Sequence, residues 1–291
     1  MQKILPIYLP IMLVIVSASR AVEIRRRYHQ EVGIPLASHI KAIEEATNRH
    51  RRSTGGGPAS IYYYPFVAGL LIYLEDFDLS VCSASLLNHQ HLVSAAHCWY
   101  DGEDQSQFYT VVLGSESLFN GGLRIITADV VVHYEWEPST LLNDIPIITL
   151  PHKIRFSDKI FPVALPSKVD LSKTFVGYQA VVIGFGMTSF WDSFDEEKRT
   201  ASYVKVKIIT NRKCSFSYND IIPRSQMCTS GLGGVGICDG DSGGPLIIRK
   251  LRKNILIGIS SFAGVASCPR GKPSGFTRVT EFYDFIYDHI S

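Results

Sequence analysis

One stretch in the C-terminal half decides how this chain is interpreted: Cys238-Asp239-Gly240-Asp241-Ser242-Gly243-Gly244-Pro245. It places glycines on both sides of a single serine that follows an acidic residue. Glycine lets the backbone turn sharply and expose N–H groups, which a developing oxyanion needs when an acyl group is attacked. A plain turn between two strands is the alternative, and this stretch alone does not exclude it.

The composition indicates a folded, secreted chain. The 291 residues include 46% hydrophobic and 19% charged positions, with a net charge of +2. This balance is typical of a globular protein with a substantial core, and near-neutrality argues against a nucleic-acid-binding protein. The six cysteines include no CxxC pair and no zinc-like spacing to a histidine, so they favour a disulfide framework in a secreted protein.

The N-terminus predicts a signal peptide over residues 1–21. Lys3 precedes an apolar run from Ile4 to Val16, and small residues follow at 17–19. Because the run is too short to span a bilayer comfortably, we expect secretion and no membrane anchor.

Residues 22–52 predict a propeptide. The segment is rich in Arg, Glu and His, lacks cysteine, and favours a helix at Ala37 to Thr47 before the basic residues 50–52. Because the first cysteine is Cys82, no disulfide would hold the segment after cleavage at Arg52. The alternative is a solvated basic helix that stays attached.

From Ser53 to the C-terminus, short β-prone runs alternate with turn residues. The clearest predicted strands are Val67–Leu74, Tyr109–Leu113, Arg124–Val132, Ala180–Ile183, Val204–Ile209, Pro245–Ile248 and Ile255–Ser260. An amphipathic helix is predicted at Glu281–Ile290. So many short strands favour barrels or a sandwich, and their number suggests two barrels joined near Pro162–Lys173.

A nucleophilic serine needs a base and a carboxylate that orients the base. His97 follows an apolar strand and small residues and precedes Cys98, which would fix the imidazole in place. Asp144 precedes apolar residues, so we expect it to be partly buried, where it would hold His97 in one tautomer. Taken singly, His97 fits a surface or satisfied core histidine and Asp144 fits a turn residue.

Together these motifs resemble the chymotrypsin-fold (S1) serine proteases. The order His97, Asp144, Ser242 is that family's order, and the resemblance includes Ala95-Ala96-His97-Cys98, Gly184-Phe185-Gly186 and Ser260-Ser261-Phe262. The resemblance covers residues 53–291. It implies an all-β fold of two six-stranded antiparallel β-barrels, at about 53–161 and 174–279, with a C-terminal α-helix at 280–291.

The resemblance implies a Ser-His-Asp mechanism. Ser242 attacks the scissile carbonyl, His97 transfers the proton, Asp144 orients the ring, and the N–H groups of Gly240 and Ser242 hold the oxyanion. No cofactor or metal is implied, and the loop at 115–119 holds a single acid, too few ligands for the family's calcium site.

The same resemblance selects three disulfides: Cys82–Cys98, Cys214–Cys228 and Cys238–Cys268. A set of free, metal-binding thiols is the alternative.

The implied specificity pocket carries no acid. Similarity places Gly236 at its floor and Ala263 and Ser274 on its walls, so apolar substrate side chains are expected rather than Lys or Arg. The phrases at 273–279 and at 33–35 resemble insect gut chymotrypsin-like enzymes. That resemblance implies a monomer that digests proteins or peptides in the gut lumen.

Activation is where the sequence departs from the family. Similarity places the cut, by a trypsin-like protease, between Arg52 and Ser53, and the new ammonium would insert beside Asp241. The family has Ile or Val at the new terminus, so the missing apolar anchor predicts a weaker switch from zymogen to enzyme.

Two smaller departures are Pro146 and Ser83, where the family usually has alanine and glycine. We expect neither to touch the triad. The altered terminus leaves a second hypothesis open, a weakly active or noncatalytic homologue that binds a protein partner.

Overall fold

A computed structural model describes residues 27–50, 61–186, 201–218, 221–234, 236–237, 240–263 and 271–291. The predicted signal peptide, the Arg52–Ser53 cleavage site and the Cys238–Cys268 bridge lie outside these residues. In the described part of the chain, no helix combines the length and the apolar character needed to cross a bilayer.

The first half forms an open, half-barrel sheet of seven strands. Its members are β1 (Val67–Leu74), β2 (Leu79–Leu86), β3 (His91–Val93), β4 (Ser106–Leu113), β5 (Leu123–Thr127), β6 (Val130–Val132) and β7 (Pro146–Thr149). They lie in the order β5-β4-β1-β2-β3-β7-β6. The run predicted as one strand at Arg124–Val132 is two strands. Thr127 ends β5 because its hydroxyl oxygen accepts the Asp129 N–H at 3.1 Å and its hydroxyl donates to the Thr149 carbonyl at 2.6 Å.

Pro146 is the first residue of β7. A proline is tolerated there because the strand's interior donors follow it. The backbone donor that proline lacks is therefore missing only at the first residue of the strand.

The second half closes into a six-stranded barrel. Its strands are β8 (Gln179–Gly184), β9 (Ser202–Ile209), β10 (Gln226–Thr229), β11 (Pro245–Lys250), β12 (Lys253–Phe262) and β13 (Ser274–Arg278), in the order β10-β13-β12-β11-β8-β9. Met227, Leu246, Ile257 and Phe276 are fully buried in its core. The predicted all-β, trypsin-like fold with a C-terminal helix is confirmed; of the two six-stranded barrels expected, the second is a closed barrel of six strands and the first is an open half-barrel of seven.

Among the described residues, three α-helices accompany the sheets: α1 (Ile34–His50), α2 (Asn211–Tyr218) and α3 (Tyr283–Ile290). A 3₁₀ turn at Val279–Phe282 leads into α3, whose Ile286 is fully buried. A π-helical turn at His29–Gly33 leads into α1, which is longer than the helix predicted at Ala37–Thr47. We call residues 27–46 the N-terminal segment; its apolar side chains join the same core cluster as β1 and β2.

Candidate active site

His97 lies in a single 3₁₀ turn, Ala96–Cys98, directly after β3. The Cys82–Cys98 disulfide ties this turn to β2, with a Cα–Cα distance of 6.3 Å. The imidazole is only 3% exposed. The neighbouring disulfide and burial therefore fix the ring, as the sequence predicts.

Asp144 is completely buried beside His97. Its carboxylate accepts the His97 backbone N–H at 3.0 Å, the Nδ1–H at 2.8 Å, and the Ser261 hydroxyl at 2.6 Å. Because Nδ1 donates to the carboxylate, the lone pair of the neutral ring lies on Nε2. This arrangement suits a base whose basic atom is Nε2.

Ser242 lies on a tight loop that is hydrogen-bonded to β2 and β12. The Ser83 N–H donates to the Ser242 carbonyl at 2.8 Å, and the Gly243 N–H donates to the Ser260 carbonyl at 2.9 Å. Gly243 has φ +78°, and a β-carbon there would collide with Ser94 and Ser83. The glycine after the serine is required by this close approach.

The expectation that Ser83 stays clear of the triad is wrong. Besides its backbone contact with Ser242, its hydroxyl donates to the Gly240 carbonyl at 3.2 Å and accepts the Phe185 N–H at 3.3 Å. The reason is that Ser83 lies inside β2, fully buried, and not in a turn.

Gly240 and Asp241 complete the loop. Gly240 has φ +92°, a left-handed conformation that favours glycine, and its Cα faces Gly186. The Asp241 carboxylate is buried and accepts the Gly186 N–H at 3.2 Å. Gly184 makes room for it, because a β-carbon there would collide with Asp241.

The His97 Nε2 atom is buried and has no hydrogen-bond partner among the described residues. The Ser242 hydroxyl therefore makes no hydrogen bond to Nε2. Instead, the Tyr28 ring of the N-terminal segment meets the His97 ring edge-on, with centroids 4.8 Å apart.

The three residues predicted to form the specificity pocket differ in burial. Ser274 is fully buried and its hydroxyl accepts the Ile237 N–H at 3.1 Å. Gly236 is partly exposed and Ala263 is exposed. None of these positions carries a charge.

Aromatic side chains pack beside Gly275, the residue that follows Ser274. The Phe262 ring lies over Gly275 and meets Tyr218 edge-on at 5.3 Å. The Tyr218 hydroxyl hydrogen-bonds to the Pro273 carbonyl. Burial raises the pKa of Tyr218 well above its usual value, so its phenol stays neutral and remains a donor.

Comparison with known proteins decides the family. The trypsin family model matches residues 53–286. The chain belongs to the trypsin family. It is therefore a serine protease, a hydrolase, and its two-sheet fold is the trypsin-like fold.

Its relatives in this family include collagenase from Hypoderma lineatum, 34% identical over 82% of this chain and 87% of the relative. Brachyurin from Leptuca pugilator is 35% identical over 80% of this chain and 96% of the relative. The proclotting enzyme of Tachypleus tridentatus is 30% identical over 82% of this chain and 66% of the relative. A solved structure of HL collagenase matches with a TM-score of 0.72 and 32% identity, covering 81% of this chain and 97% of that one.

The trypsin-family disulfides Cys82–Cys98 and Cys214–Cys228 are both formed, as predicted. They exclude a thiolate metal site around His97, since the two neighbouring sulfur atoms are bonded to each other.

Sequence reasoning missed the contact between Ser261 and Asp144. In the sequence, Ser260-Ser261-Phe262 is marked only by the family resemblance. The pattern predicts a strand there, but it does not predict which serine contacts Asp144. It also missed the contact between the N-terminal segment and His97. Tyr28, which makes that contact, lies outside the helix predicted at Ala37–Thr47, so the sequence prediction carried no signal for it.

Proposed function

We propose that this chain is a secreted serine endopeptidase made as a zymogen, with a preference for apolar or aromatic side chains. The observation that carries the proposal is the buried Asp144 carboxylate, which accepts both the backbone N–H and the Nδ1–H of His97. In a trypsin-family chain this pairing is the part of the machinery that makes a serine nucleophilic.

In the proposed mechanism, His97 Nε2 takes the proton of the Ser242 hydroxyl as the oxygen bonds to the scissile carbonyl carbon. The resulting imidazolium is stabilised by Asp144, and the N–H groups of Gly240 and Ser242 receive the oxyanion. His97 then gives the proton to the leaving amine as the C–N bond breaks. A water molecule attacks the acyl-enzyme by the same route and frees Ser242.

The uncharged pocket supports the proposed preference. A Lys or Arg side chain needs a buried carboxylate as partner, because an unpaired buried charge is costly. Gly236, Ala263 and Ser274 offer no such partner, and the walls at Ala263 and Ser274 favour Leu, Met or medium aromatics over Trp.

The proposed zymogen is cut after Arg52 by a trypsin-like protease. The new Ser53 ammonium would then reach Asp241, whose buried carboxylate already holds the Gly186 N–H. Secretion and digestion of extracellular protein, with the gut lumen as the setting, rest on the signal-peptide pattern and the family resemblance. The relative named a collagenase acts, by its name, on collagen.

The test combines processing and specificity. The full chain is treated briefly with trypsin, its new N-terminus is sequenced, and hydrolysis of Phe, Leu and Arg reporter substrates is measured against a Ser242→Ala control. We expect Ser53 as the new terminus and faster hydrolysis of the Phe and Leu substrates. Faster hydrolysis of the Arg substrate contradicts the pocket argument. No hydrolysis by a correctly processed chain from which residues 22–52 have also been removed supports the alternative, a weakly active or noncatalytic homologue.

A further inference from the structure

The N-terminal segment contacts two residues of the proposed site, His97 and Gly240. At its first turn, Tyr28 is 7% exposed, presents its ring edge to His97, and donates its hydroxyl to the Val81 carbonyl at 2.7 Å. A buried aromatic side chain that also has a hydrogen-bond partner is a well-fixed contact. Tyr28 therefore occupies the space in front of the proposed base.

The next residue, His29, fixes the segment to strand β2 and to the loop that follows the His97 turn. The His29 N–H donates to the Asp101 carboxylate at 2.9 Å, and its Nδ1 hydrogen-bonds with the Ser80 hydroxyl at 2.9 Å. The imidazole is completely buried. Gly33 lets the segment approach this closely, because a β-carbon there would collide with Ser80.

One turn further along, Leu36 reaches the proposed oxyanion site. A β-carbon on Gly240 would collide with the Leu36 Cδ2 atom, so a leucine methyl group lies against the backbone that is expected to receive the oxyanion. The segment is helical from His29 to His50, and it presents a side chain rather than a carbonyl at Gly240. It therefore blocks the site without offering a peptide bond for cleavage.

The far end of the segment is held by a buried carboxylate. Glu44 is 5% exposed and accepts the N–H groups of Leu118 and Phe119 at 2.6 and 3.0 Å and the Asn120 side-chain amide at 2.9 Å. Three donors to one carboxylate make strong, charge-assisted contacts. The neighbouring Glu45 is exposed.

We propose that the N-terminal segment is a built-in inhibitor, which docks across His97 and Gly240 and remains bound by these contacts after the chain is cut at Arg52. The inference rests on the proposed function, because inhibition requires an active triad. The segment contains no cysteine, so it leaves the protease domain only by dissociation. Activation then requires two events, cleavage and release of the segment.

The experiment uses the full chain with residues 48–52 replaced by an enteropeptidase recognition sequence, so that one cut leaves Ser53 as the new terminus. The cut protein is diluted in steps, and at each step the rate of labelling by an active-site phosphonate is measured. Native mass spectrometry records in parallel how much segment remains bound. Leu36→Ala and Glu44→Ala are compared with Glu45→Ala, which alters an exposed carboxylate on the same helix.

We expect the labelling rate per molecule to rise on dilution as the segment dissociates. Leu36→Ala and Glu44→Ala should move the midpoint of segment dissociation to about 10- to 100-fold higher protein concentration, whereas Glu45→Ala should leave that midpoint unchanged. Rates that are independent of dilution and equal in all variants overturn the inference.

The two proposals fail in different ways. The segment could dissociate on dilution, more readily in Leu36→Ala and Glu44→Ala than in Glu45→Ala, while no protein concentration gives phosphonate labelling. In that case the proposed function and the inhibitory role are both wrong, but the docking of the segment is supported. If labelling is rapid with the segment still bound, the inhibitory role alone is wrong.

Discussion

Acidification should release the N-terminal segment through His29. Burial lowers the pKa of His29 from its ordinary 6.5 to about 4, against the opposing pull of Asp101, and the nearby His97 adds to the lowering. The docked segment therefore holds a neutral imidazole, whereas the released segment takes up a proton below about pH 6.5. The affinity of the segment for the rest of the protein is therefore highest above about pH 6.5, and it decreases as the pH falls toward 4.

The size of the effect follows from the two pKa values. At pH 4.5 the released imidazole is almost fully protonated while the docked one is mostly neutral, so the segment's affinity should be roughly 10²-fold lower than at pH 7.5. The assay is the dilution midpoint of segment release from the cut protein, read by native mass spectrometry at both pH values in the inactive Ser242→Ala background.

The matched control is His29→Gln, which can still hydrogen-bond with Ser80 but does not titrate. Asp101, His97 and the exposed Arg27–Glu103 ion pair remain in both proteins, so the difference between them isolates His29. An equal shift with pH in both proteins, or no shift in either, refutes the reasoning.

Three further outcomes test the site and the fold. Ser261→Ala removes one of the donors to Asp144 and should lower kcat about tenfold in steady-state assays; an unchanged kcat would mean that His97 alone positions the carboxylate. Replacing Cys214 and Cys228 by alanine removes a disulfide of sequence separation 14 and should lower the free energy of unfolding by about 3 kcal/mol in urea titrations. An unchanged urea midpoint would contradict a stabilising role for this disulfide. Hydrogen bonds from Lys173 and Lys250 hold the pKa of the buried Asp170 carboxyl well below its usual value, so the stability that they contribute at neutral pH is lost as the pH falls below about 4. In Asp170→Asn, thermal melts should therefore show a smaller loss of stability between neutral and acidic pH. A pH profile equal to that of the unaltered protein would count against the ion pairs.

The triad motifs could be predicted from sequence because each is local. The residues next to His97 and Ser242 in the sequence are the small residues and glycines that the local backbone conformation requires. Gly243, for example, has the positive φ and the close contacts that such a stretch indicates. The strand at Val67–Leu74 was predictable for a similar reason, since it is a continuous apolar run.

The remaining features depend on tertiary contacts that sequence patterns do not specify. Ser83 touches Ser242 because β2 passes under the serine loop, and nothing around Ser83 predicts that crossing. Glu44 is charged, and its neighbours do not predict burial; three donors from a loop more than 70 residues away stabilise it there. The helical pattern of the N-terminal segment predicts an apolar face but not the surface that this face covers.

The most direct measurement is the site of phosphonate labelling in the cut, diluted chain. We predict a single adduct on Ser242, found by peptide mass spectrometry, absent in Ser242→Ala and formed about 10⁴-fold more slowly in Asp144→Asn, where the imidazole adopts the wrong tautomer. An adduct on another residue, or no adduct in a chain whose N-terminus is Ser53 and whose segment has dissociated, would contradict the assignment of Ser242, His97 and Asp144 as a catalytic triad.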